Sequence, residues 1–274
     1  MRKTIGLLTD FGWRGQHYIA SMKGVILNIN PEATIIDVSH SISSYSIIET
    51  QYILTSTRKY FPGGTVFIIV IDPGVGSNRE ILALKTVDNK FFVGPNNGIF
   101  SSIINSEIAE CVKVENNKYF LHPVSHTFHG RDIMAPVGAQ ISRGIPLNEM
   151  GPPFNLDEIV RITLILDINE KNKEISCTVQ YIDAFGNITT NVRLTEDNHV
   201  ASSTLYFQKD SLVTLIQENQ KITKGNFSTH YDKLGKGELL FMRGSTNYLE
   251  ISKNQADAAR DLNIKIGDVI KVVL

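Results

Sequence analysis

The chain has 274 residues, 42% hydrophobic and 20% charged, the texture of an ordinary folded protein of one large or two medium domains. Its 27 Lys and Arg residues nearly cancel its 28 Asp and Glu residues, and the net charge of −1 argues against a broad nucleic-acid or polyanion footprint. Two cysteines, Cys111 and Cys177, fit no zinc or redox spacing and are too few for a disulfide scaffold, so a reducing compartment is expected. The longest strongly apolar run, residues 66–71, falls far short of the ~20 residues that a spanning helix needs. Asp10 also interrupts the N-terminal apolar stretch before a signal-peptide core can form. The expectations are a cytoplasmic protein with neither membrane nor nucleic acid as partner.

Residues 3–9 read as a short buried strand that ends at Asp10-Phe11-Gly12. A helix comes next, with Tyr18, Ile19, Met22, Val25, Ile26 and Ile29 on one face and Pro31 just past its end. Residues 33–38 read as a second strand, and 47–59 as a weaker helix stopped by Phe61-Pro62-Gly63-Gly64. Residues 65–71 are apolar and rich in β-branched side chains, as in a central parallel strand covered on both faces. Strand signals recur at 81–86 and 108–114, with a short helix near 99–104 between them. This alternation implies an α/β fold for residues 1–155, an open, mostly parallel sheet with flanking helices. Gly151-Pro152-Pro153 marks the boundary. Beyond it, short strands at 160–167, 175–183, 204–208, 239–242 and 269–274 alternate with turn-rich segments, and only 255–262 reads as helix. Residues 156–274 are therefore expected to form a smaller β-barrel or sandwich domain.

Ligands of open parallel sheets sit beyond the carboxyl ends of the strands. Asp10 and Asp72 fall at such ends, where a carboxylate can accept from vicinal sugar hydroxyls or orient a polar nucleophile. An isolated aspartate there more often only caps a turn. Gly74-Val75-Gly76 lacks the third glycine of a dinucleotide fingerprint, since Arg79 stands in its place and a strand comes after it. The glycine turn can instead fold Arg79 back toward Asp72. His122, His126, His129 and Asp132 lie close in sequence, but their spacing matches no zinc motif and Gly130 argues against a continuous helix. Asp132 is expected to cap the next helix with Arg131 as partner. In the second domain, Asp183-Ala184-Phe185-Gly186-Asn187 ends a strand, and an asparagine can pair with an adenine edge. Glu250, in a strand, must face solvent or a cationic ligand.

Five segments together resemble one family. They are Thr9-Asp10-Phe11-Gly12, residues 72–79, residues 127–132, Phe185-Gly186-Asn187, and Leu249-Glu250-Ile251 followed by Asn254-Gln255. The family is the S-adenosylmethionine hydroxide adenosyltransferases, relatives of the fluorinases and chlorinases. The resemblance implies cleavage of S-adenosylmethionine to adenosine and methionine by water or hydroxide at the ribose 5′ carbon, without metal or cofactor. It carries the catalytic triad onto Asp72, Arg79 and His129. It carries ribose binding onto Asp10, adenine binding onto Asn187 and the methionine ammonium onto Asp183. Ser245 and Glu250 match methionine- or nucleoside-contacting positions, and Ser252 one that acts through backbone atoms. It further implies a homotrimer with the site at a subunit interface. The C-terminal loop departs from the pattern: Gly244 precedes Ser245, and Asn247 stands for a glycine, a replacement that a left-handed backbone tolerates. No insertion separates Arg79 from Phe92, as it does in the halogenating relatives. Halide-dependent adenosyl transfer and non-catalytic nucleoside binding are the alternatives.

Overall fold

A computed structural model describes residues 3–104 and 108–274, and the chain divides into two compact units, Met1–Ile162 and Thr163–Leu274. The division falls later than the expected 155. Ile159 is buried in the first core, and the Val160 and Ile162 amides donate to Asn96 Oδ1 and Ser101 Oγ of the same unit, both at 2.8 Å.

The first unit runs β1 (Lys3–Thr9), α1 (Gln16–Ile29), β2 (Ala33–Ser39), α2 (Ile47–Thr57), β3 (Val66–Val70), β4 (Ile81–Thr86), β5 (Phe91–Pro95), β6 (Ile108–Lys113) and α3 (Ala135–Ser142). Its sheet has the order β2-β1-β3-β5-β4-β6. The first three pairings are parallel and the two involving β4 antiparallel, so the mostly parallel expectation holds. Every residue of β3 is buried, for the reason its composition suggests. Val66, Ile68 and Val70 pack with Met22 and Ile26 of α1 and Val137 of α3, whereas Phe67 and Ile69 pack with Leu54 of α2. Each such side chain contributes about 1.5–3 kcal/mol of burial.

One expectation fails here, and one strand adds to those expected. Residues 99–104 form successive turns rather than a helix, with Ile99, Phe100 and Ile103 fully buried. β5 is an additional strand; its short Phe-Phe-Val-Gly-Pro run resembles a buried turn as much as a strand.

The second unit comprises β7 (Leu166–Asn169), β8 (Glu174–Ile182), β9 (Ile188–Arg193), β10 (Leu212–Ile216), β11 (Ile222–Phe227), β12 (Leu239–Arg243), β13 (Tyr248–Lys253), α4 (Ala258–Leu262) and β14 (Val269–Val273). Seven strands in the order β14-β10-β11-β12-β13-β9-β8 close through the β14–β8 pairing, and β7 attaches to the outside edge of β8. This is a closed barrel, which leaves no free edges within the ring. Alternate residues fill it, among them Ile175, Cys177 and Val179, Val213 and Leu215, and Ile270 and Val272. The strand expected at 204–208 is irregular, with only an isolated His199–Tyr206 bridge, and the one expected from 160 begins at Leu166. The helix expected over 255–262 is only α4, because Asp257 caps it by accepting from the Arg260 amide at 2.8 Å.

Candidate functional site

Strand order brings the two strand-end aspartates together. β1 and β3 are parallel neighbours with Thr9 opposite Val70, so Asp10 and Asp72 leave the sheet side by side. The connection from β1 runs to β2 on one side, and β3 lies on the other. Such a reversal opens a crevice between adjacent strand ends. A cleft of about 240 Å³ lies there, lined among others by Asp10, Phe11, Tyr45, Asp72, Phe128 and His129.

The loop after β3 turns twice, with Val75 N–H donating to Asp72 O at 3.3 Å and Ser77 N–H to Gly74 O at 3.1 Å. It folds Arg79 back onto Asp72 as expected. Arg79 Nε donates to Asp72 Oδ1 at 2.8 Å, and a second guanidinium nitrogen donates to Oδ2. That same nitrogen stands 3.0 Å from His129 Nδ1. Asp72 and Arg79 side chains are only 5% and 12% exposed, so this ion pair is largely withdrawn from bulk water. Arginine stays protonated and can only donate, so His129 Nδ1 accepts and a neutral ring carries its proton on Nε2. Burial, and then the Arg79 charge, push the His129 pKa below the ordinary 6.5, which favours that neutral form.

The turn after His129 fixes its position. Gly130–Met134 form one wide π-helical turn leading into α3. Asp132 is fully buried; it pairs with Arg131 Nε at 2.6 Å and accepts from the Ser125 amide at 2.8 Å. It therefore tethers the preceding loop instead of capping a helix start. Phe128 meets Phe11 and Tyr18 edge-on, giving the cleft an aromatic wall. Asp10 Oδ2 accepts from the Tyr45 amide at 2.8 Å. Burial raises the Asp10 pKa, the Tyr45 bond opposes this, and Asp72 adds to it. Tyr45, held at φ 67°, escapes sequence reasoning because a tyrosine among serines carries no signal for a left-handed turn.

The other predicted residues form a separate cluster in the second unit. Asp183 Oδ1 accepts from the Phe185 and Asn187 amides, and Oδ2 from Asn187 Nδ2, all at 2.9 Å. Glu250 Oε1 accepts from Tyr231 at 2.6 Å and from Ser252 Oγ at 2.8 Å. Burial, followed by Glu250 and Asp183, pushes the Tyr231 phenol up, so it stays a donor. Tyr231 also escapes sequence reasoning, lying in a turn-rich segment. Phe185 is 77% exposed. Ser245 is exposed in the β12–β13 turn, where Asn247 adopts φ 65°, the left-handed conformation expected of it.

Among the described residues, no three His, Cys, Asp or Glu side chains gather as a metal site, and no helix is long and apolar enough to cross a membrane. His122 Nε2 lies 2.9 Å from Asn117 O, and His126 is exposed.

An ion pair and an imidazole in a switch-point cleft define an α/β protein that handles a small polar ligand. Models of the SAM hydroxide adenosyltransferase N-terminal and C-terminal domains match residues 5–151 and 177–271, and the chain belongs to this family. It is 34% identical to an (R)-S-adenosyl-L-methionine hydrolase of Methanocaldococcus jannaschii, over 98% of this chain and 95% of that one. It is 26% identical to a fluorinase of an Actinoplanes species, over 98% and 96%. The structure of an uncharacterized conserved protein from Thermotoga maritima matches with a TM-score of 0.88 and 33% identity, covering 98% of this chain and 100% of that one.

Proposed function

We propose that this protein hydrolyses S-adenosyl-L-methionine to adenosine and methionine, with a solvent oxygen attacking the ribose 5′ carbon in line with the carbon–sulfur bond. The single observation that carries the reading is the Asp72–Arg79–His129 relay at the cleft. Sulfonium departure turns a cation into a neutral thioether, so the leaving group needs neither a proton nor a metal. What the site must supply is a positioned, partly desolvated nucleophile. The neutral tautomer makes His129 an N–H donor, which with Arg79 suits an oxygen held as hydroxide. Asp72 fixes the guanidinium, and Asp10 accepts the ribose hydroxyls.

Asn187, Asp183, Ser245, Glu250 and Ser252 then serve the adenine and methionine ends. A cleft of about 240 Å³ is below the ~300–1,000 Å³ usual for ligand pockets. Part of this reading is a homotrimer in which a neighbouring chain's C-terminal cluster completes the site. The two cysteines are free and buried, which suits the reducing cytosol. The M. jannaschii relative's name specifies the R sulfonium, and we extend that preference to this chain.

β4 begins two residues after Arg79 and only residues 87–90 connect it to β5, so no inserted loop lies between Arg79 and Phe92, which favours hydroxide over halide. The test is chromatography of products in chloride-free and chloride-rich buffer. Equal adenosine and methionine in both is expected, whereas a chlorinated nucleoside in the second overturns the hydrolase reading. Nucleoside binding without methionine release identifies a binding protein.

A further inference from the structure

A chain of contacts behind the cleft grips the backbone on both sides of Asp10. Thr9 is fully buried, and its Oγ1 lies 2.9 Å from His40 Nδ1. The Phe11 amide donates to Thr9 Oγ1 at 3.4 Å, and the Gly12 amide donates to His40 O at 2.8 Å. One residue therefore holds the chain immediately before Asp10 and two positions after it. A hydroxyl carries one proton and two lone pairs, so Thr9 Oγ1 serves the Phe11 amide and His40 Nδ1 at once. Nε2 lies 3.0 Å from Asp37 Oδ1, a close polar contact without an aligned hydrogen bond, and Asp37 Oδ2 accepts from Lys23 Nζ at 2.7 Å. The His40 side chain is 11% exposed. Neither His40 nor Thr9 lines the cleft.

From this geometry we infer that His40 and Thr9 are positioning residues for Asp10, and that they set a preference for ligands bearing both ribose hydroxyls. The inference rests on the assignment of Asp10 to the ribose. A carboxylate that must meet two adjacent hydroxyls loses most of its value when displaced by a fraction of an ångström, so the backbone around it has to be pinned.

The test is calorimetric titration of the full-length protein with adenosine and with 2′-deoxyadenosine. The wild type is expected to prefer adenosine. Thr9→Val and His40→Asn are each expected to lower adenosine affinity about tenfold, the scale of one lost hydrogen bond to a charged group, while 2′-deoxyadenosine affinity changes little. Thr9→Ser, which keeps the hydroxyl, restores the preference, and circular dichroism checks that each variant is folded. Equal weakening of both nucleosides, or an intact preference in Thr9→Val and His40→Asn, overturns the positioning role alone. A wild type that does not distinguish the two nucleosides overturns the ribose assignment and the inference with it.

Discussion

His129 carries the sharpest consequence at the scale of single residues. Its lowered pKa means that, just below pH 6.5, the unfolded chain binds a proton that the folded chain refuses. Stability from this group therefore rises with pH through the window between the folded value and 6.5; it is lost as pH falls through that window and is gone below the folded value. Protonation also places an N–H on Nδ1 against the Arg79 guanidinium, which breaks the contact between them. Turnover is expected to fall on acidification with a midpoint below 6.5, measured as kcat against pH in a buffer series. A midpoint above 6.5 contradicts the neutral-imidazole reading. His129→Ala is expected to lower kcat by about a hundredfold or more with a small change in adenosine affinity. Arg79→Lys keeps the charge but loses the fork that engages both carboxylate oxygens, so a comparable loss is expected.

At the scale of elements, the loop between β3 and β4 is the fragile part. Gly76 has φ +80°, and a Cβ there falls 2.4 Å from His126 O, a backbone atom that cannot step aside cheaply. Gly76→Ala is expected to cost about 2 kcal/mol and to lower turnover by displacing Arg79, read by thermal unfolding and steady-state kinetics. Gly24 of α1 is the control. A Cβ there meets open space, so Gly24→Ala is expected to stabilise by about 0.5–1 kcal/mol and to leave turnover unchanged. A Gly76→Ala protein as stable and active as the wild type contradicts the role given to this loop.

The elements also show what local sequence carries and what it does not. The path from Asp72 to Arg79 is readable, because a glycine turn between a buried strand and the next strand leaves the guanidinium little choice but to return. The meeting of Asp10 with Asp72 depends on β1 and β3 being neighbours, which strand order decides and no local pattern encodes. The barrel strands β9, β10 and β11 escape a reading by pattern because Thr190, Thr223 and Gly225 stand on the inward face while Leu212 and Ile222 are exposed, which blurs the apolar alternation. Residues 99–104 mislead in the opposite way, their apolar run fitting a helix and a buried turn equally well.

At the scale of the whole molecule, closure of the barrel pairs the strand edges within its ring. If one chain's relay and another chain's Asn187 serve the same substrate, two inactive variants complement each other. Mixing His129→Ala with Asn187→Ala after mild dissociation is expected to restore a measurable fraction of wild-type turnover. Persistent inactivity contradicts a site shared between chains.

The most direct measurement is hydrolysis of S-adenosylmethionine in heavy-oxygen water, followed by mass spectrometry of both products. One heavy oxygen in the 5′-hydroxyl of adenosine and none in methionine is predicted. Adenosine without label, or label appearing in methionine, contradicts attack by solvent at the 5′ carbon.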